Sequence, residues 1–190
     1  MINIVIFGPP GAGKGTQSQY LKERFGLVHI STGDVFRALD PASDLAKLAK
    51  SYSDKGNLVP DEITIKILEG EVSKHPEAKG VIYDGFPRTT AQAEALDRFL
   101  STKNTSISIA LALEVAEDEL RSRIKNRAIN SERPDDADPA IIQNRIDVYN
   151  SQTAPVAEFY KGQGKYVGVD GIGTIEEIFD RLVDALSNKA

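Results

Sequence analysis

An α/β fold built on one parallel sheet is what this 190-residue sequence predicts, and three observations carry the prediction. Five short apolar runs, rich in β-branched residues, alternate with helix-like stretches, the order that builds a parallel sheet through crossover helices. The first run, "INIVIF", stops at Gly8-Pro9-Pro10-Gly11 and is followed by Gly13 and Lys14, so a buried strand empties into a glycine-rich loop and then a helix. With 41% hydrophobic residues the chain can fill one sizeable core, and it is too short for two domains of average size.

Taken in order, the first strand runs to Phe7 and a helix starts near Lys14. The second strand is "GLVHIS" (26–31), the third "GVIYD" (80–84), the fourth "SISIALALEV" (106–115) and the fifth "GKYVGVD" (164–170). Between the second and third the spacing is long and holds two helix-like stretches that begin at Pro41 and Pro60, a small helical insertion. At the end of the chain Ile175, Ile178, Phe179, Leu182, Val183 and Leu186 recur at helical spacing behind Thr174, an N-cap with Glu177 three residues on. That stripe is core and implies no cofactor. "SERPDDADP", from Ser131, is the one long irregular loop, and there is no repeat, low-complexity tract or flexible linker.

Composition removes several classes of function. A chain without cysteine has neither a disulfide framework nor thiolate metal ligands, and its two histidines, His29 and His75, are too far apart to suggest a zinc site, so a reduced, cytoplasmic setting fits. A net charge of -5 argues against a surface that coats nucleic acid. No apolar run approaches the roughly 20 residues that span a bilayer, and Met1 leads straight into a strand rather than a basic, apolar leader, so neither export nor anchoring is expected.

Four stretches carry chemistry. Gly8, Gly13 and Lys14 satisfy the G-x-x-x-x-G-K spacing of a phosphate-binding loop; with a strand before and a helix after, backbone N–H groups, the helix N-terminus and the Lys14 ammonium converge on phosphate oxygens. The hydroxyl that normally follows the lysine is delayed, since Gly15 stands there and Thr16 comes next. A metal ion would then be carried mainly by phosphates and water, which points away from regulatory GTPases. "STGD" (31–34) ends a strand ahead of Arg37 at the sheet end where open α/β sheets bind ligands. Taken alone, it reads as a helix cap with Arg37 in solvent. "DGFPRT" (84–89) sets Asp84 at a strand end, where a carboxylate can orient magnesium through water, while Gly85 and Pro87 shape a turn that fixes Arg88 beside the phosphate loop. Finally, Arg121, Arg123, Arg127, Arg133 and Arg145 crowd one stretch. In-line phosphoryl transfer leaves negative charge on oxygens in flight, and guanidinium groups brought over them neutralise it and exclude water. Arg123 and Arg127 are four apart and share a helix face. Arg121 lies off that face and is assigned to solvent, as are Arg24, Arg98 and Arg181, while Asp135 and Asp136 pair with arginines rather than metal.

The stretches "GPPGAGKGTQ", "STGDVFR" and "DGFPRT", with the arginine series after them, resemble the adenylate kinase family in its short-lid form, over nearly the whole chain and in the family's order. The resemblance implies a P-loop NTPase-type five-stranded parallel sheet flanked by helices, with a small helical AMP-binding insertion and a short lid. It divides the chain into core with the loop (1–30), insertion (31–59), core (60–126), lid (127–138) and core (139–190). It implies the reversible conversion of ATP and AMP into two ADP, with Mg2+ carried mainly by nucleotide phosphates and water; no residue binds the metal directly, and Asp84 reaches it through water. ATP would be held by Gly11, Ala12, Gly13, Lys14, Gly15 and Thr16 with Arg123, Arg127 and Gly173. AMP would be held by Thr32, Arg37, Asn57, Leu58, Val59, Gly85, Phe86, Pro87, Arg88, Gln92, Arg133 and Arg145. Within these sets Thr32 and Gln92 meet the AMP base, Arg37 its phosphate, and Arg123 the ATP base. The catalytic set is Lys14, Asp84, Arg88, Arg123, Arg127, Arg133 and Arg145. Catalysis is positioning plus charge, with a phosphate oxygen of AMP as nucleophile, so His29 is structural. The partners are ATP, AMP and ADP, without nucleic acid or membrane, and the protein is a cytoplasmic monomer.

One departure stands out: residues 128–138 are too few for the larger lid of many bacterial relatives. A UMP/CMP kinase shares the loop and the short lid, and Thr32 and Gln92 favour adenine over it. A GTPase-type switch module would explain the loop and even "DGIG" (170–173), but that element comes too late in the chain and no N-K-x-D sequence accompanies it.

Overall fold

The apolar runs are continuous rather than alternating because both faces of the sheet are covered. The computed structural model describes residues 1–130 and 133–188. Strands β1 (Ile2–Phe7), β2 (Val28–Ser31), β3 (Gly80–Asp84), β4 (Ile109–Glu114) and β5 (Tyr166–Asp170) form a five-stranded sheet in the order β2-β3-β1-β4-β5. Every neighbouring pair is parallel. Successive residues of β1 feed opposite cores. Val5 and Phe7 pack with Tyr83, Leu68, Leu96, Leu100 and Tyr160 on one face; Ile4 and Ile6 pack with Ile82, Leu111, Leu21, Leu120, Ile178 and Leu182 on the other.

Three strands begin later than the apolar runs suggest, for local reasons. Helix α1 (Lys14–Phe25) ends at Gly26, whose N–H returns to the Lys22 carbonyl, so β2 opens only at Val28. Residues 105–108 serve the buried Asn3: its amide donates to Thr105 Oγ1 and to the Ser106 carbonyl, and Ser108 Oγ accepts from its backbone N–H, which delays β4 to Ile109. The Lys165 N–H turns back to the Tyr160 carbonyl, and β5 starts at Tyr166.

Between β2 and β3 lie α2 (Thr32–Arg37), α3 (Asp44–Ser53) and α4 (Asp61–Ser73). The helix expected from Pro41 begins at Asp44, because Pro41 and Ala42 sit in a turn around Asp40 whose carboxylate accepts from the Ala42 N–H, and Ser43 caps the helix instead. The one expected from Pro60 begins beside it at Asp61. After β3 come α5 (Thr90–Thr102), then β4, α6 (Glu117–Asn130), a 3-10 turn (Pro134–Asp136) and α7 (Pro139–Val148). "SERPDDADP" is therefore less irregular than its composition suggests: Asp138 caps α7 by accepting from the Ala140 N–H, while Ser131 and Glu132 lie outside the described residues. A π-helical turn (Tyr149–Thr153) and α8 (Val156–Gly162) lead to β5, and α9 (Ile175–Ser187) closes the chain. Both halves of the Thr174–Glu177 capping box are present at its start.

Candidate functional site

Parallel strands point their carboxyl ends the same way, and loops at that edge where β1, β3 and β2 lie side by side are the natural place for a ligand. A cleft of about 410 Å³ opens there. Its walls hold Lys14 of the β1–α1 loop, Thr32 and Arg37 of α2, Asn57, Leu58 and Val59 before α4, and Gly85, Pro87, Arg88 and Gln92 after β3. Arg133 and Arg145 line it as well. Residues spread over more than a hundred positions of sequence thus meet in one cavity. The apolar wall, which sequence reasoning missed, is Phe36 and Leu39 with Ala46 and Ala49 of α3, and Tyr149 and Thr153 line it too. The spacing of Ala46, Ala49 and Ser53 was the available signal for α3.

The loop after β1 has Lys14 folded back, its ammonium donating to the carbonyls of Gly8 (2.8 Å) and Pro9 (3.3 Å). Desolvation of that ammonium lowers its pKa to about 8, with Asp84 pulling the other way and Arg88, Arg145 and Arg127 adding to the depression. A desolvated ammonium with three arginines nearby favours an anion. Gly11, Ala12, Gly13, Gly15 and Thr16 surround the same loop. Arg123, on α6, donates to the Ala12 carbonyl (3.4 Å) and to that of Gly171 (2.8 Å), so it braces the loop from outside the cleft with Glu119 held at 2.7 Å. Gly173, two residues past Gly171, has Glu177 and Arg181 as its nearest neighbours and does not line the cleft.

The turn after β3 is a junction. The Gly85 carbonyl accepts from Thr32 Oγ1 (2.9 Å) and from Arg88 Nε (2.7 Å), tying "STGD" to "DGFPRT". Gly85 has φ +74°, and a Cβ there would come within 2.8 Å of Arg88 Nη2 and 3.0 Å of Thr32 Oγ1, so only glycine serves. The Phe86–Pro87 peptide is cis. The Phe86 side chain points into the core at 1% exposure, leaving only its backbone to face a ligand. Burial pushes Arg88 below its ordinary value, against the opposing pull of Asp84.

Gln92 is 1% exposed. Its carbonyl oxygen accepts from the Arg88 N–H (2.7 Å) and its amide donates to Asp61 Oδ1 (2.8 Å). A primary amide has two N–H groups and two lone pairs, so one of each remains beyond these two bonds. Asp61 also escaped sequence reasoning, where an acid just after Pro60 reads only as a helix-start residue.

The arginines are held by acids. Arg127 forms a fork on Asp136 (2.6 and 2.7 Å), and Arg145 reaches Asp136 (2.9 Å) and Asp135 (3.1 Å). The Asp136 side chain is fully buried; burial alone would raise its pKa, but Arg127 and Arg145 hold it below the usual carboxylate range. Arg133 is pushed down by desolvation and then by Arg37 and Arg127 nearby, a cluster of like charges. Arg37 pairs with Asp34 at 2.5 Å. Two arginines assigned to solvent are not free. Arg121 donates to Glu117 and to Gln143, joining α6 to α7, and Arg181 donates to the carbonyls of Asp170 (2.9 Å) and Ile172 (2.5 Å), fastening the loop after β5. Long side chains with five donors find carbonyls even at the surface.

Asp84 is 7% exposed, and His29 Nε2 lies 3.1 Å from its Oδ2. No group of three His, Cys, Asp or Glu side chains among the described residues could hold a metal ion. A single carboxylate beside a phosphate loop fits an ion carried mostly by ligand phosphates and water, the usual coordination of magnesium.

Comparison with known proteins agrees with this geometry. The sequence model of the family described as Adenylate kinase matches residues 6–165. The chain is 51% identical to a protein of Flavobacterium psychrophilum named Adenylate kinase, over 99% of this chain and all of that one. It is 49% identical to one of the same name from Parabacteroides distasonis, over 99% of each. One from Caulobacter vibrioides is 45% identical over 97% of each.

Proposed function

The chain belongs to the adenylate kinase family, and on that premise we propose that its cleft holds AMP beside ATP and passes the terminal phosphoryl group between them. The chain is a phosphotransferase of the nucleoside monophosphate kinase class, and the reaction is ATP + AMP giving two ADP. The observation that carries the site reading is the convergence of Lys14, Arg88, Arg133 and Arg145 on one cavity that Gln92 also lines.

A phosphate oxygen of AMP attacks the γ-phosphorus of ATP as the bond from that phosphorus to the β–γ bridging oxygen breaks, so no proton donor or covalent intermediate on the enzyme is needed. Lys14 and the N–H groups of residues 11–16 neutralise the leaving ADP. Arg88, held by Gly85, lies between the two phosphate chains, and Arg127, Arg133 and Arg145 reach the group in flight. Arg127 and Arg145 trade part of their hold on Asp136 and Asp135 for phosphate. Arg123 and Gly173 line the ATP side, and Thr32, Arg37, residues 57–59 and Gln92 hold AMP. Mg2+ would be carried by ATP phosphates and water, with Asp84 fixed by His29 as its only acidic contact through water, and would supply charge neutralisation and alignment. The reading includes a monomer acting in the cytoplasm on free nucleotides: the lack of cysteine fits a reduced compartment, and the net charge of -5 argues against a surface that coats nucleic acid; sedimentation at working concentration checks the monomer.

ADP formation from ATP with AMP, UMP or CMP in turn tests the proposal. Turnover with AMP well above the pyrimidines is expected, and turnover without any monophosphate dependence would refute a kinase of this class.

At the base end, Gln92→Ala leaves adenine's polar edge unpaired in a buried site, a loss of roughly 1–3 kcal/mol. AMP is expected to bind about ten- to a hundredfold more weakly, with ATP nearly unaffected. Separate calorimetric titrations read both, and equal weakening of the two nucleotides would remove Gln92 from the AMP site.

Residues 31–59 and 127–138 are proposed to close over the two nucleotides, because a phosphoryl group open to water would be lost to hydrolysis. A ligand joining the adenosines of ATP and AMP through a phosphate chain should reduce the radius of gyration in solution scattering and shorten label distances across the cleft. Unchanged curves and distances would contradict closure.

A further inference from the structure

We propose that Asp61 is a positioning residue that decides which purine this site accepts, by fixing the orientation of the Gln92 amide; the inference rests on reading Gln92 as the group that meets the monophosphate base. Asp61 opens α4 and lies behind the cleft wall rather than on it. Its Oδ1 accepts from Gln92 Nε2 (2.8 Å) and from Thr89 Oγ1 (3.1 Å). On the other side of the same amide, the Arg88 backbone N–H donates to Gln92 Oε1 (2.7 Å).

The two partners are of opposite kind. A carboxylate oxygen accepts and a backbone N–H donates, so turning the amide by half a revolution would set its carbonyl oxygen against Asp61 and its NH2 against the Arg88 N–H. Two hydrogen bonds would become two repulsions around a side chain 1% exposed, where water cannot repair them. The free N–H and the free lone pair of Gln92 are thereby presented to the cleft in one order only.

That order is chemically decisive. Adenine offers an amino donor at C6 and a ring-nitrogen acceptor at N1, whereas a 6-oxopurine offers a carbonyl acceptor and an N1–H donor, the inverse pattern. The two bases are nearly the same size, so shape cannot separate them, and a freely turning amide would serve either. Asp61 removes that freedom. Without it the amide is held from one side, by Arg88 alone, and a 6-oxopurine can recruit the turned form.

The test compares AMP with inosine monophosphate (IMP) at saturating ATP in the full-length parent and Asp61→Ala, with IMP read as a substrate or, where turnover is slow, as a competitor of AMP. The preference for AMP over IMP is expected to fall about tenfold, the scale of one charge-assisted hydrogen bond, while KM for ATP stays unchanged. A purely structural role would weaken both monophosphates alike, so an unchanged preference in a cooperatively melting variant overturns the proposal. If Asp61→Ala does not fold, Asp61→Asn is read the same way: its own amide can turn to suit either state of Gln92, and a fall of about threefold supports the proposal while no fall overturns it. Gln92→Ala, run in parallel, separates the two readings. If it leaves the preference intact, the base-reading role of Gln92 fails; if it abolishes the preference while the Asp61 variants keep it, only the positioning role of Asp61 fails.

Discussion

Lys14→Ala is expected to lower kcat at least about a hundredfold with the fold intact, the scale on which removal of one preorganised donor to transition-state charge is felt. The ammonium makes two bonds to the loop carbonyls of Gly8 and Pro9 and keeps a third N–H for phosphate. A thermal transition close to the parent's, beside the lost turnover, would locate the defect in chemistry; near-normal kcat would remove Lys14 from the reaction. The same lysine makes a pH dependence. Desolvation sets it at about 8 in the free protein, so it is charged below that pH and neutral above. A bound polyphosphate favours the charged form and raises the value. Hence kcat/KM for ATP, which reports the free enzyme, should decline above about pH 8, while kcat, which reports the complex, holds to higher pH. ATP binding near pH 8 should also take up protons, seen as a heat that changes with the buffer's ionisation enthalpy. A flat kcat/KM profile across this range would argue that Lys14 does not meet the nucleotide.

Arg88→Ala carries the second large expected loss, again at least about a hundredfold in kcat, and Arg88→Lys should rescue little of it. The guanidinium is pinned by its Nε to the Gly85 carbonyl, and its two terminal nitrogens make no hydrogen bond among the described residues. A planar fork aimed in this way can hold phosphate oxygens of two chains at once, whereas lysine offers a point charge on a flexible stem. The Arg88 backbone is engaged independently, its N–H by Gln92 and its carbonyl by Thr153 Oγ1 (2.8 Å), so truncating the side chain should leave the turn in place. Rapid-quench measurement of the chemical step, with a melting curve beside it, reads the effect, and a lysine variant that restores the rate would reduce Arg88 to a simple counter-charge.

Legibility in the sequence differed by level. The succession of strands and helices along the chain and the glycine-lysine loop were readable because both rest on local signals: apolar runs of strand length, and glycines at fixed spacing before a lysine. Element starts were less so. Nothing in "SISIALALEV" reveals that residues 105–108 are claimed by the Asn3 side chain a hundred positions earlier, nor does Pro41 disclose the turn around Asp40. Asp135 and Asp136 could be named as partners of arginines, but not which arginine each would hold. Asp136 holds both Arg127 and Arg145 from full burial, and that depends on α6, the 3-10 turn and α7 meeting in space. Arg121 and Arg181 look solvated from the sequence, yet each finds an acceptor on a neighbouring segment, Gln143 of α7 for Arg121 and the Asp170 carbonyl for Arg181. Asp61 is the clearest case: its role is defined by Gln92 and Thr89, which lie on another helix.

The position of β1 has a consequence for how the protein comes into being. It is made before the other four strands of its sheet, yet its neighbours on both sides come much later: Ile2 faces Gly80, and Phe7 faces Ala112. The strand synthesised soonest after it, β2, pairs with β3 instead. Until residue 112 of the 190 has been added, one or both margins of β1 carry backbone groups with no ladder to join. The pairing also needs Gly80 to be bare, since a Cβ there would run into the Ile2 carbonyl. The nascent chain therefore carries residues 8–16 long before the strands that flank β1 in the folded protein have been made. Over that interval Ile4, Val5 and Ile6, which are 0% exposed in the finished protein, lack the strands that later cover their backbone, and an apolar segment with open edges is prone to mispairing.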